Sequence, residues 1–345
     1  MSSTDRLRLI GGTGSPYTRK MVALLRYRHI PYNIMWGDPA SVQHLGLPVP
    51  KVSLHPTFFF KNETGELEAV VDSTPIIRRL EEMYAGRSVI PEDPALAFIN
   101  YLLEDFGDEW CTKYIFHYRW AFAADIERAG TQLPLTMDLT MNADVHRRTK
   151  RMFSDRQVGR LSVVGSNEAT RPVIEGSYLR LLELLDAHFA EHRFLLGDRP
   201  GSGDFGIYGQ FTQLVGFDPT PMALAYENGP RTVAWVSLME DQSGLEPGEG
   251  AWGDVNHLPQ TLKNILKEVG RVYVPALLAN AKAAAAGEDS WEAEIDGCTW
   301  TQKTFPYQAK CLRWMKEEYT ALSDADLAKV AKVLVGTGCE ALLTP

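Results

Sequence analysis

Within ninety residues of its start the chain reads strand, helix, strand, hairpin and helix, and after Pro94 it turns almost wholly helical. Residues 6–10 predict a first strand. Residues 16–29 predict a helix, with Tyr17, Met21, Leu24 and Leu25 at helical spacing and Pro16 first, where its missing N–H has no partner to lose. Pro31 breaks the chain before a second strand over 32–36. A loop over 37–55 leads to a third strand over 57–60, and Asn62-Glu63-Thr64-Gly65 turns it back into a fourth over 67–71. Asp72, Ser73, Thr74 and Pro75 then open a helix that runs to about residue 84, with a Ser or Thr cap and Pro75 just inside. Such a run is a small α/β domain, and residues 86–94, rich in proline, glycine and charge, read as a linker.

Helices are predicted downstream over 96–124, 172–191, 204–215, 260–285 and 307–322, with a loop over 241–257 and no tandem repeat. A chain of 345 residues exceeds what one compact domain usually holds. The expected division is an α/β domain over 1–86 and a larger all-helical domain over 95–345.

The stretch LIGGTGSPYTRK, residues 9–20, poses the functional question. A dinucleotide loop wants three glycines, the third so that helix and strand pack closely. Gly12 and Gly14 fill two places, but the third falls on Tyr17. Asp38 stands where a ribose-binding acid would, yet a hairpin follows where such a domain would continue β-α-β. The other reading makes Ser15 a helix cap, where free N–H groups and the positive end of the dipole converge. A thiolate brought there is stabilised. A free thiol has a pKa near ~8.5, and a hydroxyl donor plus the dipole supply roughly one to three units of depression.

Composition narrows the classes. The net charge of −9 argues against nucleic acid as the main partner. No stretch is apolar enough to span a membrane, and residues 1–6 lack a secretory apolar run, so a cytoplasmic location is expected. The basic cluster of His146, Arg147, Arg148, Lys150 and Arg151 reads as a solvated helix face, with an anion contact as the other possibility. Cys111, Cys298, Cys311 and Cys339 form neither a C-x-x-C pair nor a zinc set, so no metal is expected and reduced thiols are.

Four motifs together resemble the cytosolic glutathione transferases. Ser15-Pro16-Tyr17 precedes the first helix where that family carries a Ser-Pro or Cys-Pro turn. His55-Pro56 precedes the third strand, where the family has a cis-proline, with Pro50 as the rival position. Asp72-Ser73-Thr74-Pro75-Ile76-Ile77 is similar to the acidic-Ser motif that holds the γ-glutamyl end of glutathione. Phe194 to Pro200, followed by Asp204 and Phe205, resembles the signature that starts a buried helix in the family's second domain. The implied fold is a thioredoxin-like domain followed by a larger all-helical domain. Three departures stand out. Gly201 occupies a cap position where the family prefers Thr or Ser, with Ser202 as a substitute; residues 128–170 look inserted; the chain beyond about 240 is long.

The resemblance implies glutathione as co-substrate and a hydrophobic electrophile as second substrate. Ser15 would activate the thiol, with Tyr17 and Thr18 as runners-up. Pro56, if cis, would turn the backbone of His55 toward the cysteinyl part, and Asp72 with Ser73 would take the γ-glutamyl end. Lys51 and His44 are candidates for the other carboxylate. Trp110, Tyr114, His117, Tyr118 and Trp120 are candidates for the electrophile wall, although an aromatic stripe is more often core. The implied protein is a detoxification-type transferase and homodimer; the alternatives are a binding or scaffold module that keeps the fold without the chemistry, and a nicotinamide-dependent dehydrogenase.

Overall fold

A computed structural model describes residues 6–248 and 251–343; most of the signal-region reading over 1–6 lies outside them. The α/β part comprises β1 (Leu7–Gly11), α1 (Pro16–Tyr27), β2 (Tyr32–Trp36), β3 (Thr57–Lys61), β4 (Leu67–Val70) and α2 (Ser73–Met83). The strand order is β2-β1-β3-β4. β1 runs parallel to β2, with Leu9 opposite Ile34, and antiparallel to β3, with Leu9 opposite Phe58. The hairpin pairs Phe58 with Val70, and the His55–Pro56 peptide before it is cis. Phe58 and Phe60 stack and are fully buried, while Arg79 lies over Phe60.

The helical part runs through α3 (Pro94–Glu109), α4 (Cys111–Ala121), α5 (Ala123–Met137), α6 (Ala143–Val158), α7 (Arg171–Phe189), α8 (Ser202–Gly216), α9 (Pro219–Asn228) and α10 (Pro230–Met239). It continues with α11 (Gln260–Glu268), a π-helical turn over Val269–Tyr273 and α12 (Val274–Ala286). A hairpin of β5 (Ser290–Ile295) and β6 (Cys298–Lys303) precedes α13 (Pro306–Thr320) and α14 (Asp324–Leu334). The expected order, a thioredoxin-like part followed by a larger helical part, holds, and to the helical part the chain adds this hairpin. Its physical reason is local: Asp296 and Gly297 both take positive φ, as a two-residue turn requires, and Trp291, Ile295, Trp300 and Gln302 alternate inward.

α8 is the spine. It packs on both α1 and α3, and the backbones nearly touch. A Cβ on Gly107 would lie 2.8 Å from the Gly206 carbonyl carbon and the Ile207 nitrogen. Asp204 ties the head of α8, its carboxylate accepting from Leu195 N and Gly201 N at 2.9 Å each. A side chain at Gly201 would collide with Asn100 Oδ1, which accounts for the missing Ser or Thr there. Ser202 does not take over the cap, because its hydroxyl accepts from Asn100 Nδ2 at 2.8 Å. The stretch over 86–94 is no loose tether. Val89 is fully buried, its carbonyl accepts from Ser202 N at 2.8 Å, and Arg87 donates to Gln242 O and Ser243 O.

The inserted region forms the end of α5, α6 and a short 3-10 turn over Leu161–Val164. The basic cluster lies on α6, where Arg147 pairs with Asp144 and Lys150 with Glu127, the solvated face expected. All four cysteines are free, and among the described residues no helix is long and apolar enough to cross a membrane.

Because backbone meets backbone at Gly107, Gly107→Ala should overpack the α3–α8 crossing and destabilise the protein by about 1–3 kcal/mol, read as a lower urea midpoint at unchanged slope.

Candidate functional site

A cavity of about 620 Å³ opens between the two parts of the chain. One side comes from the loop before β3 (Val52, Leu54, His55, Pro56) and the head of α2 (Asp72, Ser73, Thr74). The other comes from α3 and α4, with Asp105, Asp108, Glu109 and Lys113, and from α13, with Tyr307, Gln308, Cys311 and Trp314.

Five of the residues singled out in the α/β part meet this cavity: Tyr17, His55, Pro56, Asp72 and Ser73. His55 is steadied by its Nε2 against Gly37 O at 2.7 Å. Asp72 sits at φ 83°, a costly conformation for a residue with a Cβ, and such strain concentrates where a site over-determines the backbone. Its Oδ2 accepts the Tyr307 hydroxyl at 2.9 Å, and burial raises its pKa despite that bond. Ser73 Oγ accepts from Lys20 Nζ at 3.1 Å.

Tyr17 contributes its ring to the wall, but its hydroxyl donates to Asp108 O at 2.7 Å, and burial with Glu109 and Asp108 nearby drives its pKa far up. Ser15 stands behind the wall. It caps α1 by accepting from Thr18 N at 3.2 Å, and it donates to His55 O, also at 3.2 Å. Thr18 is fully buried. Lys51 and His44 are exposed and lie off the cavity.

The aromatic candidates are placed differently from expectation. Trp110, Tyr114, His117, Tyr118 and Trp120 are buried, and none lines the cavity. Trp110 Nε1 donates to Tyr114 Oη at 2.9 Å, and that hydroxyl meets Ser177 Oγ at 2.6 Å. Tyr118 packs on Tyr178 and Phe122, and Trp120 on Phe153. His117 is held by Ser166 Oγ and Glu175, and burial lowers its pKa. The stripe at 110, 114 and 118 turns toward α7, so the cavity receives α13 as its wall instead.

The sequence reading missed a ladder of acids on α3. Glu104 and Asp108 form one i,i+4 pair, and Asp105 and Glu109 the next. Four acids at helical spacing within a buried helix were the available signal. Lys20, fully buried on α1, answers the first pair, with Nζ 2.9 Å from Glu104 and 2.5 Å from Asp108. Burial opposes the charge of Glu104, but Lys20 and Arg78 outweigh it and hold the carboxyl low. The second pair has no such cation. Burial, with Asp108 and Glu104 adding to it against the Tyr273 hydrogen bond, pushes Asp105 up to about 7. Burial and Asp105 push Glu109 up to about 8. Lys113 falls to about 8 because of burial; its ammonium donates to Gln302 Oε1 and Val164 O. Among the described residues no cluster suits a metal ion.

Residues 9–88 match the family model described as glutathione S-transferase, N-terminal domain, and this part of the chain belongs to that family. No curated protein matches the chain. A glutathione transferase family member from Pseudomonas fluorescens Pf-5, with bound S-(propanoic acid)-glutathione, is 16% identical at a TM-score of 0.37, covering 68% of this chain and 94% of its own. A glutathione S-transferase from Rhodospirillum rubrum F11 is 16% identical at 0.42, covering 72% and 96%. Poplar glutathione transferase F1 is 15% identical at 0.39, covering 70% and 95%.

The ladder sets a pH dependence. Folded, Glu109 keeps its proton to about pH 8; unfolded, it gives it up near 4.5. Between those values the folded state binds the extra proton, so stability falls as pH rises through the window. Glu109→Gln removes this contribution. The melting temperature of the unaltered protein should therefore drop relative to Glu109→Gln from about pH 5 to about pH 8 and then run parallel. Parallel curves throughout that window would show that Glu109 is ionised when folded.

Proposed function

From a glutathione S-transferase N-terminal domain over residues 9–88, we propose that this protein is a glutathione-dependent transferase that sets the glutathione thiolate against a hydrophobic electrophile. The single observation carrying the reading is that the loop at His55 and Pro56 and the strained head of α2 at Asp72 and Ser73 share one cavity with apolar Val52, Leu54, Phe305 and Trp314. Residues 1–86 bind glutathione in this scheme, and residues 95–345 supply the electrophile wall and the dimer contacts. The exposed apolar side chains Trp36 and Val49, outside the cavity, suit a homodimer. The free thiols fit a cytoplasmic location.

In this scheme Asp72 takes the ammonium of the γ-glutamyl group, the head of α2 takes its carboxylate, and the backbone at His55 pairs with the cysteinyl part. Ser15 activates the thiol by turning its O–H from His55 O to the sulfur. A hydrogen bond to a charged acceptor exceeds one to a neutral carbonyl, so the exchange favours the thiolate. Two contacts favour the rival reading of a binding protein without chemistry: Ser15 is engaged by His55, and Tyr307 occupies Asp72.

Titration with glutathione, followed by thiolate absorbance near neutral pH, separates the two. The transferase reading expects binding with a thiolate signal that Ser15→Ala abolishes; binding without any signal favours the binding protein, and no binding sinks the transferase and favours a scaffold that keeps only the fold. Binding with a signal that persists in Ser15→Ala keeps the transferase and moves thiol activation to Tyr17, Thr18 or the helix N-terminus. Asp72→Asn should weaken binding about fivefold, the ~1 kcal/mol by which a charged hydrogen bond exceeds the neutral one it replaces. Tyr307→Phe should tighten it several-fold by removing the internal competitor, measurable by calorimetry beside the unaltered protein.

A further inference from the structure

The acid ladder ends in a group that glutathione binding does not employ. Glu109 faces the cavity that His55, Pro56 and Asp72 line from the other side. Gln308 Nε2 donates to its Oε2 at 3.1 Å. Oε1 has no hydrogen-bond partner among the described residues and is the place left for a proton. Neither neighbouring cation forms an ion pair with this carboxyl, and burial outweighs the attraction of the Lys113 charge. Lys20 is bound by Glu104, Asp108 and Ser73, and Lys113 donates to Gln302 Oε1 and Val164 O. A carboxyl so placed, one helical turn from Asp105, is a neutral hydrogen-bond donor aimed into an apolar-walled space.

We propose that Glu109 is the general acid of this cavity, giving the Oε1 proton to an oxygen that leaves carbon, so that the second substrate is an epoxide. This rests on the transferase reading. The glutathione sulfur forms a bond to carbon with its own electron pair. The C–O bond breaks and its pair stays on oxygen. That oxygen takes the Glu109 proton and becomes a hydroxyl, while Glu109 is left as a carboxylate and regains a proton from water. A halide leaving group needs no proton, so the acid matters for oxygen and not for chloride. The pKa of about 8 keeps the acid loaded at neutral pH and close enough to the working pH to transfer efficiently.

The test compares two electrophiles, styrene oxide and 1-chloro-2,4-dinitrobenzene, on the full-length protein and on Glu109→Gln, which keeps an acceptor for Gln308. The expected result is a fall of roughly 10²-fold or more in kcat/KM for the epoxide, the usual worth of general acid catalysis, with less than about threefold change for the chloride. An equal fall for both electrophiles would assign Glu109 a packing role and overturn the proposal. So would an unchanged epoxide rate, or a protein that conjugates the chloride and never the epoxide. A selective epoxide loss in Asp105→Asn and not in Glu109→Gln would move the acid to Asp105 and equally overturn it. Failure of the unaltered protein on both electrophiles, together with absent glutathione binding, would sink the transferase reading itself, a result distinct from all of these. Melting curves identify any variant that does not fold; Glu109→Leu then serves as the second variant, with the same selective epoxide loss expected.

Discussion

One buried ammonium holds the site together. Lys20 rises from α1 into a position closed to solvent and meets Ser73 of α2 and Glu104 and Asp108 of α3. Burial alone would discharge it, but the two carboxylates outweigh burial and raise its pKa. Removing a charge from water costs several kcal/mol, recovered only when partners and geometry are good. Here the partners come from both parts of the chain, so the same contact that neutralises the charge fixes α3 against the head of α2.

The rest of the electrostatics follows from where this cation is and is not. Lys20 reaches one stripe of α3 and not the next. Glu104 is thereby held ionised, while at Asp105 and Glu109, one position further round, burial outweighs the weaker attraction of Lys20 and Lys113. Asp105 is met by the Tyr273 hydroxyl and Glu109 by the Gln308 amide, neutral donors both. Lys113 stands nearest to Glu109 in sequence, yet it lies between the Trp110 and Trp300 rings at 5.5 and 5.4 Å and spends its protons on oxygens there. Adjacent residues of one helix, Glu104 and Asp105, thus have carboxyls shifted in opposite directions, the arrangement by which acid and base roles are divided within a site.

How much of this was legible varies by region. The α/β part was readable because each turn there is specified locally: Pro16 inside a cap, an Asn62-to-Gly65 hairpin, Pro75 after Asp72. The β5–β6 hairpin carried an equally local signal in Asp296 and Gly297 between alternating apolar residues, but the surrounding helical pattern masked it. The cavity walls were not readable. Periodicity says that Trp110, Tyr114 and Tyr118 share a buried face; it does not say which neighbour covers that face. α7 covers it, through Ser177 and Tyr178. The helix that does line the cavity, α13, begins almost two hundred residues later, and no spacing rule connects Tyr307 with Asp72.

The glutathione reading also changes what affinity means here. Asp72 already has a hydroxyl on its Oδ2, and Ser15 already has a carbonyl for its proton. A ligand that occupies this site exchanges bonds and does not fill unsatisfied ones. The net gain of each exchange is the difference between a charged and a neutral hydrogen bond, about 1 kcal/mol, and not the full worth of either. Most of the free energy of binding must then come from covering apolar surface at Val52, Leu54, Phe305 and Trp314, which no internal contact can imitate. A polar tripeptide covers little of that surface, and an apolar electrophile covers much. In the proposed reaction the two substrates divide the labour: the first redirects hydrogen bonds and carries the sulfur, and the second supplies the burial that makes redirecting them favourable.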